Sequence, residues 1–243
     1  MFLKAAINGG RGYDETPHVP MTPEQIAADA LRAHRAGADV VHAHARTADG
    51  AQTIDPEHVG AMVRAVREAD PSIVIGTTTG LWTCSGHEER MELVKSWPTD
   101  ALPDFASAAF SEEGADEIAQ LILDRGMILE SAVWSPEDVP ALLASPTLHS
   151  NVRILIEPEV EDPDEAIAMC RSIAQTIREA GVTCPVLYHG YDQTTWPVLR
   201  AAAADGVESR IGIEDILTLE DGTLADNLAM IAAVKTITGE ATS

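Results

Sequence analysis

The stretch "TPEQIAADALRAHRAGADVVHAHA", residues 22–45, decides the fold. Its first part is amphipathic, opens with Thr22 followed by a proline, and stops at Gly37. These are typical signals for the start and end of a helix. Its second part, residues 39–45, is a short run of strand-forming residues. The stretch therefore predicts a helix that leads directly into a strand.

The same alternation recurs along the chain. Eight short apolar or β-branched runs predict strands at residues 2–8, 39–45, 72–79, 104–110, 127–133, 152–160, 185–190 and 209–214. The amphipathic stretches that predict helices include residues 22–37, 55–70, 112–126, 162–181 and 223–239. Strand and helix repeated eight times is the pattern of a (β/α)₈ barrel. With no linker or change of composition along residues 1–243, we predict one such domain.

A doubly wound open sheet is the competing α/β fold. It usually carries a G-x-G-x-x-G loop between its first strand and first helix. The loop here, residues 8–23, opens with glycines but is long, contains prolines and lacks that spacing. The loop therefore favours the barrel.

Composition excludes several classes of partner. The 243 residues carry 16 Lys and Arg against 39 Asp and Glu, a formal charge of −23, so the phosphates of nucleic acids and anionic membranes would be repelled. No run reaches the roughly 20 apolar residues of a membrane helix, and the first residues do not resemble a signal peptide. We expect a cytoplasmic protein whose three cysteines are reduced thiols.

Two histidines mark the end of the second predicted strand. Side chains two residues apart share a face of a strand, so His42, His44 and Arg46 would form a row. The active site of a (β/α)₈ barrel lies at the C-terminal ends of its strands, where this row falls. For the histidine pair alone, neutral core residues bonded to the backbone explain the pattern equally well.

Acidic residues end the eighth predicted strand. Glu214 and Asp215 follow the run "RIGI", and Arg210 lies lower on the same strand. Two imidazoles and one carboxylate are typical of a catalytic zinc site, which favours His42, His44 and Glu214 as ligands. Asp215 would then serve as a base or orient a ligand. Glu214 could instead cap a helix or pair with Arg46.

Polar residues also end or interrupt the third and fifth predicted strands. Thr77, Thr78 and Thr79 end the third strand, although threonines are common in strands for structural reasons alone. Glu130 interrupts the apolar fifth strand, and a carboxylate inside a barrel is unfavourable unless it is paired or used. We expect Glu130 to contact substrate or to bond a metal-bound imidazole.

These residues resemble the β-keto acid cleavage enzymes. The resemblance runs in order through "TPHVPMTPEQIA", "AGADVVHAHARTADG", "TTTG", "DFASAAF" and "SRIGIEDILTLEDGTLADN", and so covers nearly the whole chain. The His-x-His and Arg-x-Gly-x-Glu-Asp motifs together are fairly specific. The resemblance implies a zinc-dependent (β/α)₈ enzyme that condenses a β-keto acid with acetyl-CoA and yields acetoacetate and a new CoA thioester.

The resemblance also assigns residues. It makes His42, His44 and Glu214 zinc ligands and Arg210 and Asp215 the catalytic pair. It places Thr78, Gly80 and Ser107 where the family contacts substrate, and it implies a homo-oligomer, either a dimer or a tetramer. A His₂Glu set also suits manganese, cobalt or iron in part.

The chain departs from the family's pattern at three places. Arg11 stands where the member that cleaves an aminated keto acid has an acidic residue, so we expect a substrate tail that is neutral or carries a carboxylate. Ala108 and Ala109 occupy the position of a substrate-binding asparagine. The loop after the sixth strand and the C-terminal tail, which in the family help to admit CoA and to form subunit contacts, are short here.

Two other functions stay open. A zinc hydrolase of the amidohydrolase type also uses His-x-His, but on its first strand and with further histidines on its middle strands. Here strands four to six offer no histidine, and His189 on the seventh is the one extra candidate. The second alternative is a barrel without catalysis that binds a metabolite, which the intact motifs argue against.

Overall fold

The computed structural model describes residues 1–239 and contains a closed barrel of eight parallel strands in chain order. The strands are β1 Leu3–Ala6, β2 Val40–His42, β3 Ile75–Thr78, β4 Phe105–Ala109, β5 Ile128–Val133, β6 Asn151–Ile156, β7 Val186–Tyr188 and β8 Glu208–Ile211. Each overlaps one of the eight predicted runs. β1 pairs with β2 on one side and with β8 on the other, which closes the barrel.

A helix follows each strand. The α-helices are α1 Pro23–Arg35, α2 Pro56–Ala69, α3 His87–Lys95, α4 Ala115–Asp124, α5 Val139–Ala144, α6 Pro163–Glu179, α7 Thr195–Asp205 and α8 Asn227–Ile237. Short 3₁₀ turns lie at Leu81–Thr83, Pro136–Asp138, Leu148–Ser150 and Asp192–Thr194. The predicted (β/α)₈ barrel is therefore confirmed. Within the described residues, no helix has the length and apolarity needed to cross a bilayer.

The helix signals of the sequence act as expected at α1. The Thr22 hydroxyl accepts a hydrogen bond from the backbone N–H of Gln25, and the Gln25 side chain accepts one from the backbone N–H of Thr22. This reciprocal capping box satisfies two N–H groups that a helix start leaves unpaired. At α6 the Asp162 carboxylate accepts from the backbone N–H of Glu165. Local sequence thus defines where these helices begin.

The inside of the barrel is partly charged. Lys4 on β1 reaches across the barrel to Glu130 on β5, with 2.5 Å between Nζ and Oε2, and Arg153 on β6 binds the other oxygen of Glu130. Arg153 also pairs with Glu208, at 2.5 Å. Buried charges are tolerated when each one is paired, as these are. The apolar core lies mainly between the outer face of the strands and the helices, where Leu3 packs.

Candidate active site

The closure of the barrel brings the two ends of the metal motif together. His42 is the last residue of β2 and pairs in register with Ala6, while the backbone N–H of Glu214 donates to the carbonyl of Ala6 at 3.2 Å. Glu214 and His42 therefore flank the end of β1 from opposite sides. His44 lies two residues beyond β2, and both histidines are 4% exposed.

Two glycines make this approach possible. A Cβ atom on Gly212 would lie 1.9 Å from the carbonyl oxygen of Ala6, which is far inside contact distance. Gly9 has a left-handed φ of +49°, and a Cβ there would lie 2.1 Å from the Cγ atom of Glu214. The glycine in Arg-x-Gly-x-Glu-Asp and the first glycine after β1 are thus the residues that let Glu214 reach the histidines.

The three side chains could hold one metal ion. The Nε2 atoms of His42 and His44 are 3.0 Å apart, and each lies 3.7 Å from an oxygen of Glu214. Ligand atoms about 2.0–2.2 Å from a tetrahedral ion are separated by roughly 3.3–3.6 Å. Oε2 of Glu214 is buried without a hydrogen bond from any described residue. A cation would satisfy this oxygen, so the donor set fits a divalent metal.

The protonation states also suit a metal. Burial lowers the pKa of His42 well below its usual value and lowers that of His44, so both imidazoles are neutral near pH 7. Burial alone would raise the pKa of Glu214, but the neighbouring guanidinium of Arg210 holds it well below its usual range. Neutral imidazoles and an ionised carboxylate are the forms that bind a metal.

A residue that sequence reasoning missed fixes the tautomer of His44. The Nδ1–H of His44 donates to the side-chain oxygen of Gln52, which leaves the lone pair of Nε2 free. Gln52 returns to the site through an isolated antiparallel bridge with Arg46. Asp49 and Gly50, which lie between Arg46 and Gln52, are typical turn residues and indicate that the chain folds back at this point.

Arg210, Asp215 and His189 form a second group beside the ligands. Nη2 of Arg210 lies 2.6 Å from Oε1 of Glu214 and 2.5 Å from Oδ1 of Asp215. Nε2 of His189 lies 3.0 Å from the same Asp215 oxygen, and its Nδ1 lies 3.2 Å from Oε1 of Glu157. Burial would raise the pKa of Glu157, but His189 and Arg210 lower it to about 2. The sequence leaves the role of His189 open and gives no signal that marks Glu157.

Glu130 does not lie in this group. Its hydrogen bonds among the described residues go to Lys4 and Arg153. The sequence predicts that Glu130 could bond a metal-bound imidazole. That prediction is wrong for His44, because the Nδ1–H of His44 donates to Gln52 instead. The reason is depth, because Glu130 is the third residue of β5 while the ligands lie at or beyond the ends of their strands.

Arg11 lies at the rim of the barrel, but its charge is already paired. Its guanidinium binds Glu15 at 2.9 Å, binds Asp192, and lies 4.9 Å from the centre of the Tyr191 ring. The sequence predicts that Arg11 repels a substrate ammonium group. Two carboxylates offset part of its charge, and the preference for a neutral or carboxylate tail stays a prediction.

The remaining predicted residues lie on neighbouring strands. Thr78 ends β3 and pairs in register with Ser107 on β4. The Thr78 hydroxyl accepts from the backbone N–H of Gly80, and the carbonyl of Ser107 accepts from the hydroxyl of Thr79. These residues therefore share the C-terminal end of the barrel with the histidines.

A cavity of about 710 Å³ opens beside the site. Among the residues above, six line it: Glu157, His189, Tyr191, Asp192, Arg210 and Glu214. The rings of Trp82 and Trp134, 6.5 Å apart, are also part of its lining. A cavity of about 950 Å³ lies at the opposite end of the barrel and contains none of the predicted site residues. Of the three proposed metal ligands, Glu214 lines the first cavity, which therefore opens onto this side of the site.

Comparison with known proteins bears on the chemistry of this site. A family model described as beta-keto acid cleavage enzyme matches residues 1–243. The 3-keto-5-aminohexanoate cleavage enzyme of Fusobacterium nucleatum is 27% identical over 244 residues, which cover 93% of this chain and 86% of that protein.

Two further matches are more limited. The 3-dehydrocarnitine:acetyl-CoA trimethylamine transferase of Rhizobium meliloti is 36% identical over 83 residues, which cover 33% of this chain and 28% of that protein. The solved ternary complex of ObcA with a C4-CoA adduct and oxalate superposes with a TM-score of 0.73 at 18% identity. That match covers 90% of this chain but 63% of ObcA, and it supports the barrel fold alone.

Proposed function

The chain belongs to the β-keto acid cleavage enzyme family, and we propose that it condenses a β-keto acid with acetyl-CoA to give acetoacetate and a new acyl-CoA. The observation that carries this proposal is the convergence of His42, His44 and Glu214 beside Arg210 and Asp215. The name of the Rhizobium meliloti relative supports acetyl-CoA as the co-substrate.

The atoms of the reaction balance without water or an oxidant. The carboxylate and C2 of the β-keto acid join the acetyl group of acetyl-CoA and leave as acetoacetate. The remaining acyl group leaves on the sulfur of CoA. The reaction needs a proton to leave C2 and a proton to return to the product, together with stabilisation of an enolate.

We propose that zinc binds to His42, His44 and Glu214. The buried, unbonded oxygen of Glu214 and the neutral imidazoles support this placement, and the donor set would also accept manganese, cobalt or iron in part. Bound zinc would supply a Lewis acid that polarises the keto and carboxylate oxygens of the substrate.

Arg210 would stabilise negative charge on the substrate, and Asp215 would take part in proton transfer. Burial opposes the charge on Arg210, but Asp215 and Glu214 raise its pKa overall, so it stays cationic at every working pH. Its guanidinium lines the cavity and would hold negative charge that develops on the substrate. Asp215 would supply the carboxylate of the acid–base group.

The other predicted residues keep narrower roles in this proposal. Thr78, Gly80 and Ser107 would contact the substrate from the ends of β3 and β4. Arg11 would shape the rim through its pairs with carboxylates. Glu130 would act as a catalytic residue only if its pairs with cations opened. We further propose that the chain works as one domain, in the cytoplasm and as a homo-oligomer.

Acetyl-CoA labelled with ¹³C in its acetyl group tests the proposal. The metal-loaded protein is incubated with labelled acetyl-CoA and a panel of β-keto acids, and the products are read by mass spectrometry. We expect the label in acetoacetate and an unlabelled new acyl-CoA for at least one keto acid. Label recovered as acetate would indicate a hydrolase instead. No product from any keto acid would indicate a barrel that binds without turnover.

A further inference from the structure

Two buried asparagines replace the strand ladder beside the proposed metal ligands. The ladder between β1 and β2 runs as far as the bond from the Ile7 N–H to the His42 carbonyl, at 3.0 Å. In a regular parallel pair, the next bond would join the His44 N–H to the Ile7 carbonyl. Instead, the His44 N–H donates to Oδ1 of Asn8 at 2.8 Å. The Ile7 carbonyl accepts from Nδ2 of Asn227, also at 2.8 Å. Side chains therefore connect the strands at this point.

Asn8 binds both polar groups of the His44 backbone. Its Oδ1 atom accepts from the His44 N–H, and its Nδ2 atom donates to the His44 carbonyl at 2.9 Å. The second N–H of the carboxamide donates to the carbonyl of Pro20 at 3.2 Å. Asn8 is 0% exposed, so water does not compete for these bonds. One side chain therefore holds the peptide groups on both sides of the His44 Cα atom.

Asn227 has the equivalent position on the other side of β1. It is the first residue of α8 and is 1% exposed. While its Nδ2 atom donates to the Ile7 carbonyl, its Oδ1 atom accepts from the backbone N–H of Ile213 at 2.8 Å. Its other N–H donates to the carboxylate of Asp29 at 2.6 Å. Because Ile213 directly precedes Glu214, this carboxamide connects β1 to the segment that carries the third proposed ligand.

We propose that Asn8 and Asn227 are positioning residues of the metal centre. His44 and Glu214 approach the end of β1 from opposite sides, and their side chains converge to 3.7 Å between Nε2 and Oε1. A carboxamide supplies donors and an acceptor together, so it can hold two segments at once where a ladder bond is missing. Asn8 thereby fixes the histidine side of the site, and Asn227 fixes the carboxylate side. This inference rests on the metal site of the proposed function and holds for whichever keto acid is cleaved.

Asn151 provides a matched control, because it has the same structural role away from the site. It is 7% exposed, and its Oδ1 atom accepts from the backbone N–H of Ser131 at 2.7 Å. Its Nδ2 atom donates to the carbonyl of Leu148 at 3.1 Å. As the first residue of β6, Asn151 lies at the end of the barrel opposite to the proposed metal ligands. Its replacement removes a buried carboxamide from the fold without touching the metal centre.

Zinc affinity, measured by competition with a chelating dye, tests the proposal on Asn8→Ala, Asn227→Ala and Asn151→Ala. All three changes should lower the melting temperature of the metal-free protein, because each leaves buried backbone groups unpaired. Only Asn8→Ala and Asn227→Ala should bind zinc more weakly, by about 10–100-fold at a temperature well below melting. The visible spectrum of the Co²⁺-loaded protein reports ligand geometry. It should change in these two variants and match wild type in Asn151→Ala.

The outcomes distinguish a positioning role from a purely structural one. Zinc affinities and Co²⁺ spectra of Asn8→Ala and Asn227→Ala that equal those of Asn151→Ala would overturn the inference and leave the proposed function intact. If wild type binds no divalent metal, the proposed metal site fails and the inference fails with it. Should one of the two variants not fold, the other decides, since each acts from its own side of β1.

Discussion

Glu130→Gln tests whether Glu130 is a structural ion-pair partner. Glu130 is 0% exposed, and its oxygens bind Lys4 on the opposite strand and Arg153 on the neighbouring one. Glutamine keeps the shape but removes the negative charge between two buried cations. We expect a less stable barrel whose metal ligands are undisturbed.

The expected loss follows from the partners. Removing one member of a buried ion pair costs about 3–5 kcal/mol. Arg153 keeps a second carboxylate, Glu208, and burial already lowers the pKa of Lys4, so Lys4 can lose its proton when Glu130 is gone. Both effects reduce the cost, so we expect the free energy of unfolding to fall by about 3 kcal/mol, the lower end of this range. At about 2–4 °C per kcal/mol for a chain of this size, the melting temperature should fall by about 6–12 °C.

Urea unfolding at pH 7 and pH 9 measures this loss, with the exposed Glu137→Gln as the control. In the Glu130 variant the pKa of Lys4 falls further below its unfolded value, so the unfolded state binds more protons. Stability then rises with pH relative to wild type, and the deficit should be smaller at pH 9. A variant within about 0.5 kcal/mol of wild type that has lost turnover would refute the structural role.

Two smaller changes probe the metal ligand and the rim. Gln52→Ala removes the oxygen that accepts the hydrogen bond of His44 and should weaken metal binding by about 10–100-fold, measured in competition with a chelating dye. Gln175→Ala, at an exposed position, is the control. Equal metal affinity in the two variants would contradict this role of Gln52. Arg11→Ala leaves Asp192 without its partner and should raise kcat/KM for 3-keto-5-aminohexanoate over an uncharged keto acid. We expect a few-fold effect, since the Asp192 side chain is 57% exposed and solvent screens its charge. An unchanged ratio of the two kcat/KM values would show that the charge of Arg11 does not affect binding of the substrate tail.

The fold was accessible from local sequence because several helices carry their own start signals, as α1, α2, α6 and α8 do. The Thr22 cap and the stop at Gly37 are properties of short segments, and the repeated alternation then leaves a barrel as the simplest closure. The observed β2 and β8 end before His44 and Glu214, earlier than the predicted runs. The predicted runs extend past these strand ends because His44 is buried and Glu214 is partly buried, so both segments still follow the inside of the barrel mouth.

The contacts inside the barrel were not accessible from local sequence. Lys4 and Glu130 are 126 residues apart, and they meet only because β1 and β5 face each other across a closed barrel. Likewise, the pairing of Arg11 with Asp192 joins residues 181 positions apart. A sequence motif names residues that could act together, but strand register decides which of them already have partners.

Metal content and turnover measured on the same samples test the central claim most directly. Wild type, His44→Ala and His149→Gln are purified in parallel, and bound zinc is measured alongside acetyl-CoA-dependent acetoacetate formation. We expect about one zinc per chain with turnover in wild type and His149→Gln, and neither in a folded His44→Ala. Turnover that persists in His44→Ala without bound metal would contradict a metal-dependent site at His42, His44 and Glu214.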